Sequence, residues 1–174
     1  MSGTKTIYSD FVLKSQKFFE HRGCIYTIFE KREMPHDCSF VQDKVSKSKQ
    51  GVIRGFHGDN KTWKLITCLH GKIKLVTYNV DTNTKRIYFL GGDDEEFQSV
   101  LVPPRTLNAH QCLSKECVFH YKWSEYYTSP EDQWSVHYND ADIDPQWEKE
   151  YEEIVSTRDK KSQSLRELRR NVKS

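Results

Sequence analysis

Three residues set close together have the chemistry of a site that binds an anion and moves a proton. Arg54 and His57 flank Gly55-Phe56, and Lys64 follows seven residues after His57. A guanidinium forks onto phosphate or carboxylate oxygens, and an imidazole takes and gives a proton near neutral pH. Residues three apart on a strand point to opposite faces, so Arg54 and His57 share a pocket only if Gly55 carries a bulge. The same spacing also fits a core histidine and a surface lysine. A second group is aromatic: Tyr121, Trp123, Tyr126 and Tyr127 follow His120, with Trp134, Tyr138 and Trp147 beyond. Such density packs a core or forms a wall for a nucleotide base. No catalytic metal is expected, because Gly58-Asp59 rather than a second histidine follows His57, and His110 and His120 stand apart. Cys24, Cys38, Cys68, Cys112 and Cys117 contain no CxxC pair, which speaks against zinc and for reduced, mostly buried cytosolic thiols.

The elements that must position these groups read as short strands. They are expected at 24–29, 51–57, 64–69, 72–80, 86–90, 97–102 and 117–123, with His70-Gly71 as a hairpin turn. Regular short strands of this kind predict an all-β sandwich or barrel. Only the end looks helical. Trp147, Tyr151, Ile154 and Val155 share one face at helical spacing, and Pro145 stands ahead as a start signal. The expectation is one domain over 1–174, with a β-barrel to about 140 and a helical C-terminal segment over about 145–174.

With 174 residues the chain has enough length for one sizeable core. Its 36% hydrophobic and 30% charged residues fit a globular protein, and 8 Gly with 5 Pro exclude a collagen-like chain. No apolar run reaches the ~20 residues that span a bilayer, and the N-terminus has no signal-peptide core, so a soluble intracellular protein is expected. The net charge of +2 hides a basic tail, with seven Lys or Arg and two acids from Arg158 to Ser174. Such a tail could meet a polyanion, but it is short and carries no aromatic residue for base stacking, so a solvated helix end or frayed terminus is the expectation.

Several stretches in register resemble the dTDP-4-dehydrorhamnose 3,5-epimerase family, nucleotide-sugar epimerases built on a cupin-type jelly roll. His21-Arg22-Gly23 is similar to the family's Asp-x-Arg-Gly, and Gln42-Asp43 with Ser46 and Ser48 to its Gln-Asp-Asn-x-Ser-x-Ser. Gly51-Val-Ile-Arg54-Gly-Phe-His57 resembles Gly-Val-Leu-Arg-Gly-Leu-His, and Lys64-Leu65 opens a strand like Lys-Leu-Val. Val102-Pro103-Pro104 through Ser114, then Tyr121-Lys122, Tyr126-Tyr127, Asn139-Asp140 and Trp147, follow in the family's order.

The resemblance implies a jelly roll, a homodimer whose N-terminal strand region packs across the interface, and no cofactor. It implies a nucleoside-diphosphate 4-keto sugar as substrate, neither nucleic acid nor membrane as partner, and a cytoplasmic location. His57 would be the base, oriented by Asp159, and Tyr121 the group that returns the proton from the other face. Lys64 would sit near the keto oxygen, and Arg54 and Arg22 would hold the diphosphate. Gln42, Ser46, His110, Lys122, Tyr126 and Asp140 complete the implied substrate contacts.

This chain also departs from the family pattern. Asn108 falls where the family has its second active-site histidine, unless a one-register slip lets His110 take that place. Lys44 replaces the asparagine of Gln-Asp-Asn, and Asp81-Thr82-Asn83 replaces an arginine-containing segment. The departures point to an altered substrate, and the leading expectation is a GDP-linked 4-keto-6-deoxy-heptose of capsule synthesis, inverted at carbon 3, carbon 5 or both. The alternatives are a dTDP-4-keto-6-deoxyhexose epimerase, a 4-keto sugar ketoisomerase and a non-catalytic sugar-binding cupin.

Overall fold

In the computed structural model, which describes residues 9–172, strand formation follows side-chain alternation more closely than hydrophobicity. Thirteen strands are present among these residues. They are β1 (Phe11–Gln16), β2 (Phe18–Glu20), β3 (Gly23–Ile25), β4 (Gln42–Lys49), β5 (Val52–Gly58), β6 (Lys64–His70) and β7 (Lys72–Asn79). Then follow β8 (Thr84–Gly91), β9 (Glu96–Val102), β10 (Thr106–Cys112), β11 (Glu116–Trp123), β12 (Trp134–Ser135) and β13 (Ile154–Val155). One sheet runs β1-β9-β6-β11-β4, and the other β12-β5-β10-β7-β8, with β13 on the edge of β5. Every pairing is antiparallel except β13 on β5. The two sheets form the cupin-type jelly roll.

Three apolar clusters hold it together. Ile66, Ile73, Leu75, Val100 and Phe119 fill the space between the sheets. Phe56, Val76, Leu107, Trp147, Leu165 and Leu168 join the outer face of the second sheet to the C-terminal segment. Trp63, Leu65 and Leu101, with Met34 and Cys38, cover the outer face of the first. On β7 and β9 residues alternate between these layers, as the period of two requires.

Several expectations need correction. Residues 64–69 and 72–80 do not form a hairpin, since β6 and β7 lie in different sheets. Gly71 turns that corner at φ +74°, and an added Cβ would stand 2.2 Å from the Glu116 carbonyl oxygen. The strand at 24–29 stops at Ile25 and pairs only with β2. β1, β4 and β10 were not expected; on β4 and β10 the residues facing the space between the sheets are small or polar.

The helix predicted through Trp147, Tyr151, Ile154 and Val155 is absent. Trp147 anchors a loop, its indole N–H donating to the Tyr138 carbonyl at 2.9 Å. The β-branched pair Ile154-Val155 instead satisfies the free edge of β5. Helices form later, as α1 (Thr157–Lys161) and α2 (Leu165–Asn171), each opened by a serine cap. Ser156 accepts from the Asp159 N–H, and Ser164 makes a capping box with Glu167. The basic tail lies on the protein: Arg166 pairs with Asp142 at 2.7 Å, and Arg169 bonds Tyr78 and Asn83. Lys173 lies outside the described residues.

Candidate active site

A bulge in β5 builds the site. Asn108 of β10 pairs with His57 and His110 pairs with Arg54, so three steps along β5 match two along β10. Gly55 makes this possible. Its φ is +121°, and a Cβ there would stand 2.6 Å from Ala109 and from the Asn108 carbonyl oxygen. Arg54 and His57 are thereby turned to the same side, and Phe56 points away into the outer core.

The two sheets enclose a cavity of about 190 Å³. β5 supplies Arg54 and His57, β6 supplies Lys64, and β10 supplies Asn108 and His110. β4 contributes Lys44 and Ser46, and β11 contributes Phe119, Tyr121 and Trp123. Tyr127, Gln133 and Arg158 close the rim. His57 and Tyr121 thus face the cavity from opposite sheets.

His57 Nε2 lies 2.8 Å from Asp159 Oδ1, and Asp159 Oδ2 accepts from the Gly55 N–H at 3.3 Å. Burial raises the proton affinity of the Asp159 carboxyl, but the bonds from His57, Gly55 and Ser156 outweigh it and hold the group below its usual range. An ionised Asp159 accepts a hydrogen bond from the imidazole Nε2–H, so Nδ1 carries the free lone pair.

Lys64 is 3% exposed, and its ammonium donates to Asn108 Oδ1 at 3.1 Å. The His57 carbonyl is 3.5 Å away, and the Trp123 ring centre 4.8 Å. Burial pushes its pKa down to about 8 against the pull of Asp59, with Lys44 adding to the fall. Burial also raises the pKa of Tyr121, opposed by Arg54, which keeps it a protonated phenol. His110 stacks on Phe119 at 4.0 Å, and burial with the nearby charges of Arg54 and His57 pushes its pKa down to about 3. It is a neutral ring.

Ser46 Oγ, His110 Nε2, Trp123 Nε1 and Gln133 Nε2 are the buried side-chain polar atoms without a partner among the described residues. All four belong to residues lining this cavity. A buried polar atom without a partner carries a free-energy penalty that a bound ligand removes. Among the described residues, no group of three His, Cys, Asp or Glu side chains is placed to hold a metal.

The structure brings together His57, Asp159, Tyr121, Lys64, Asn108, Arg54, Ser46 and His110. Other candidates lie elsewhere. Lys122 alternates to the outer face of β11, where it pairs with Asp43 at 2.8 Å. Asp140 is buried and accepts from the N–H groups of Asp142, Ile143 and Leu165, which makes it a turn former. Gln42 accepts from the Tyr127 N–H at 3.1 Å and holds the rim. Tyr126 is 69% exposed beside an adjoining cleft. Arg22 pairs with Glu20 at the tip of the β2–β3 hairpin, away from the cavity.

Trp123 and Tyr127 of the aromatic group do line the cavity, whereas Lys44, Phe119, Gln133 and Arg158 were missed. The alternation of Lys44, Ser46 and Ser48 on one strand, and of Phe119, Tyr121 and Trp123 on another, could have revealed Lys44 and Phe119. Gln133 comes from a distant loop and Arg158 from α1, and neither carries a local signal.

A jelly roll with a histidine–aspartate pair in one wall and a tyrosine in the other belongs to the cupin-type nucleotide-sugar epimerases, a class of isomerases. Residues 5–167 match the dTDP-4-dehydrorhamnose 3,5-epimerase family, and the chain belongs to that family. The enzyme of that name from Escherichia coli K12 is 30% identical over 168 residues, covering 90% of each chain. The structure of the Bacillus anthracis enzyme, with TDP and PPi bound, has a TM-score of 0.80 at 27% identity, over 92% of this chain and 98% of that one. The Elizabethkingia anophelis enzyme gives 0.78 at 26% identity, over 94% and 96%. No helix among the described residues is long and apolar enough to cross a membrane.

Proposed function

We propose that the cavity epimerises carbon 3, carbon 5 or both in a dTDP-linked 4-keto-6-deoxyhexose. The observation that carries this reading is the pair of proton-transfer groups, His57 with Asp159 and Tyr121, facing one cavity from opposite sheets. A ketone acidifies the hydrogen on the neighbouring carbon. His57 Nδ1 takes that proton, and the electron pair moves to the ketone oxygen as an enolate. The Lys64 ammonium offsets the charge there. The Tyr121 hydroxyl then gives a proton to the same carbon from the other face; the His57 imidazolium releases its proton to solvent and the phenolate takes one back, which restores both groups. Arg54 is suited to the diphosphate.

The dTDP-linked substrate draws support from the names of the relatives. The GDP-linked heptose expected from Asn108 and the other departures has no support among them. Five free cysteines fit a reducing compartment such as the cytoplasm. We also read the exposed Phe18, Phe19 and Ile25 of the β2–β3 hairpin as a face covered by a second copy in a homodimer, which light scattering would measure.

The test is proton NMR in heavy water with dTDP-4-keto-6-deoxyglucose and, separately, a GDP-4-keto-6-deoxy-heptose. Exchange at carbon 3 or 5 of the dTDP sugar is expected. Exchange on the GDP sugar alone would overturn the nucleotide assignment, and exchange on neither would overturn epimerisation. A product whose carbonyl has moved would identify a ketoisomerase.

A further inference from the structure

Four cationic side chains line the cavity, and three are tied to protein groups. Arg54 Nε donates to Ser48 Oγ at 3.1 Å, Lys64 to Asn108, and Arg158 to the Pro130 carbonyl and Ser135 Oγ. Lys44 has neither a hydrogen-bond acceptor nor a carboxylate among the described residues. Its ammonium lies 3.4 Å from the Tyr127 ring centre and 5.1 Å from that of Trp123. Two unpartnered buried atoms belong to its neighbours: Ser46 Oγ, two residues along the same strand face, and the indole N–H of Trp123, a residue only 4% exposed. A cation beside unused donors is completed by an anion rich in acceptor oxygens.

We propose that Lys44 is a substrate-binding residue, its ammonium taking a phosphate oxygen of the nucleoside diphosphate together with Ser46 Oγ and Trp123 Nε1. This rests on the nucleotide-sugar reading above. The family pattern has a neutral asparagine at this position, so the charge is an addition.

The same contact reaches the enolate-stabilising lysine. Lys44 and Lys64 approach one indole, at 5.1 and 4.8 Å from its ring centre, and their like charges repel across it. The groups facing Lys64 are Asp59, Lys44, Asn108, the His57 carbonyl and the Trp123 ring. A phosphate seated on Lys44 cancels the repulsion, so Lys64 holds its proton more firmly when substrate is present.

The experiment titrates dTDP, inorganic pyrophosphate and thymidine into wild-type protein, Lys44→Asn and Lys44→Arg by calorimetry, and adds the pH profile of kcat/KM. Lys44→Asn is expected to weaken dTDP and pyrophosphate roughly tenfold, the factor for one charge-assisted hydrogen bond, and to leave thymidine unchanged. Lys44→Arg should stay within about threefold of wild type, since it keeps the charge. The basic limb of kcat/KM should move to higher pH in Lys44→Asn, because the free enzyme has lost the repulsion on Lys64. Equal dTDP affinity in wild type and Lys44→Asn would overturn the inference. If wild-type protein binds neither dTDP nor pyrophosphate, the nucleotide-sugar reading falls and the inference with it.

Discussion

Lys64 is caught between two demands, burial that favours the neutral amine and the proposed role at the enolate, which needs the ammonium. With its pKa pushed down to about 8, it is charged at neutral pH and loses the proton just above. We expect kcat/KM to fall about tenfold per unit above pH 8, and Lys64→Met to lose roughly 10²- to 10³-fold at pH 7. Stability should move the other way. An unfolded lysine keeps its proton to about 10.5, so between pH 8 and 10.5 the unfolded state binds more protons and the folded state gains as pH rises. Denaturant midpoints across that window check the sign. For the base, His57→Asn should remove exchange at every carbon, a loss of at least about 10²-fold. Asp159→Asn should retain the fold and lose roughly 10- to 100-fold in kcat, since the amide no longer fixes the imidazole tautomer. Exchange at one carbon in His57→Asn would reveal a second base.

At the scale of elements, the β5 bulge decides which residues share the cavity. Gly55→Ala places a methyl group against Ala109 at a φ that L residues rarely adopt. We expect it to cost about 2–4 kcal/mol in urea unfolding and to depress kcat further than stability alone explains, because Arg54 and His57 lose their common side. Parity was legible in the sequence where a strand is regular: on β11 the period of two puts Tyr121 in the cavity and Lys122 outside it. Parity failed at β5, where the glycine allows an extra residue but does not announce one. The C-terminal helix failed for a related reason. Trp147 and Val155 do pack on the outer core, but from a loop and an edge strand, and Ile154 is 46% exposed, which helical spacing cannot tell from a helix face. The serine caps at Ser156 and Ser164 were the better signals.

Across the whole molecule, the C-terminal segment returns to the barrel and delivers Asp159 to His57, 102 residues away in sequence. Its anchors are Leu165 and Leu168, both essentially buried, and the bond from the His137 N–H to the Gln163 carbonyl. Leu168→Ala should cost about 2–5 kcal/mol in unfolding free energy and leave kcat at 25 °C within about twofold. Acid should unfold the protein through its buried ring. His110 binds a proton below about pH 3 when folded but near 6.5 when unfolded, so the unfolded state gains protons, and stability drops, as pH falls from 6.5 toward 3. His110→Phe, which keeps the stack on Phe119, should flatten that decline. An unchanged slope would remove His110 from the account.

By itself the sequence determined the all-β class and the family, and it picked out His57, Lys64, Arg54, Tyr121 and Asp159, which the fold brings together, because residue types in register survive without coordinates. It also marked Asn108 as a departure, yet it left open whether Asn108 or His110 stands opposite His57. Tertiary structure decided that, through a two-against-three register between β10 and β5 that puts Asn108 opposite His57 and against the Lys64 ammonium. It also removed Lys122, Asp140 and Arg22 from the cavity and brought in Lys44, Gln133 and Arg158. Side-chain direction and long-range closure set those positions, and neither is written in the local order of residues.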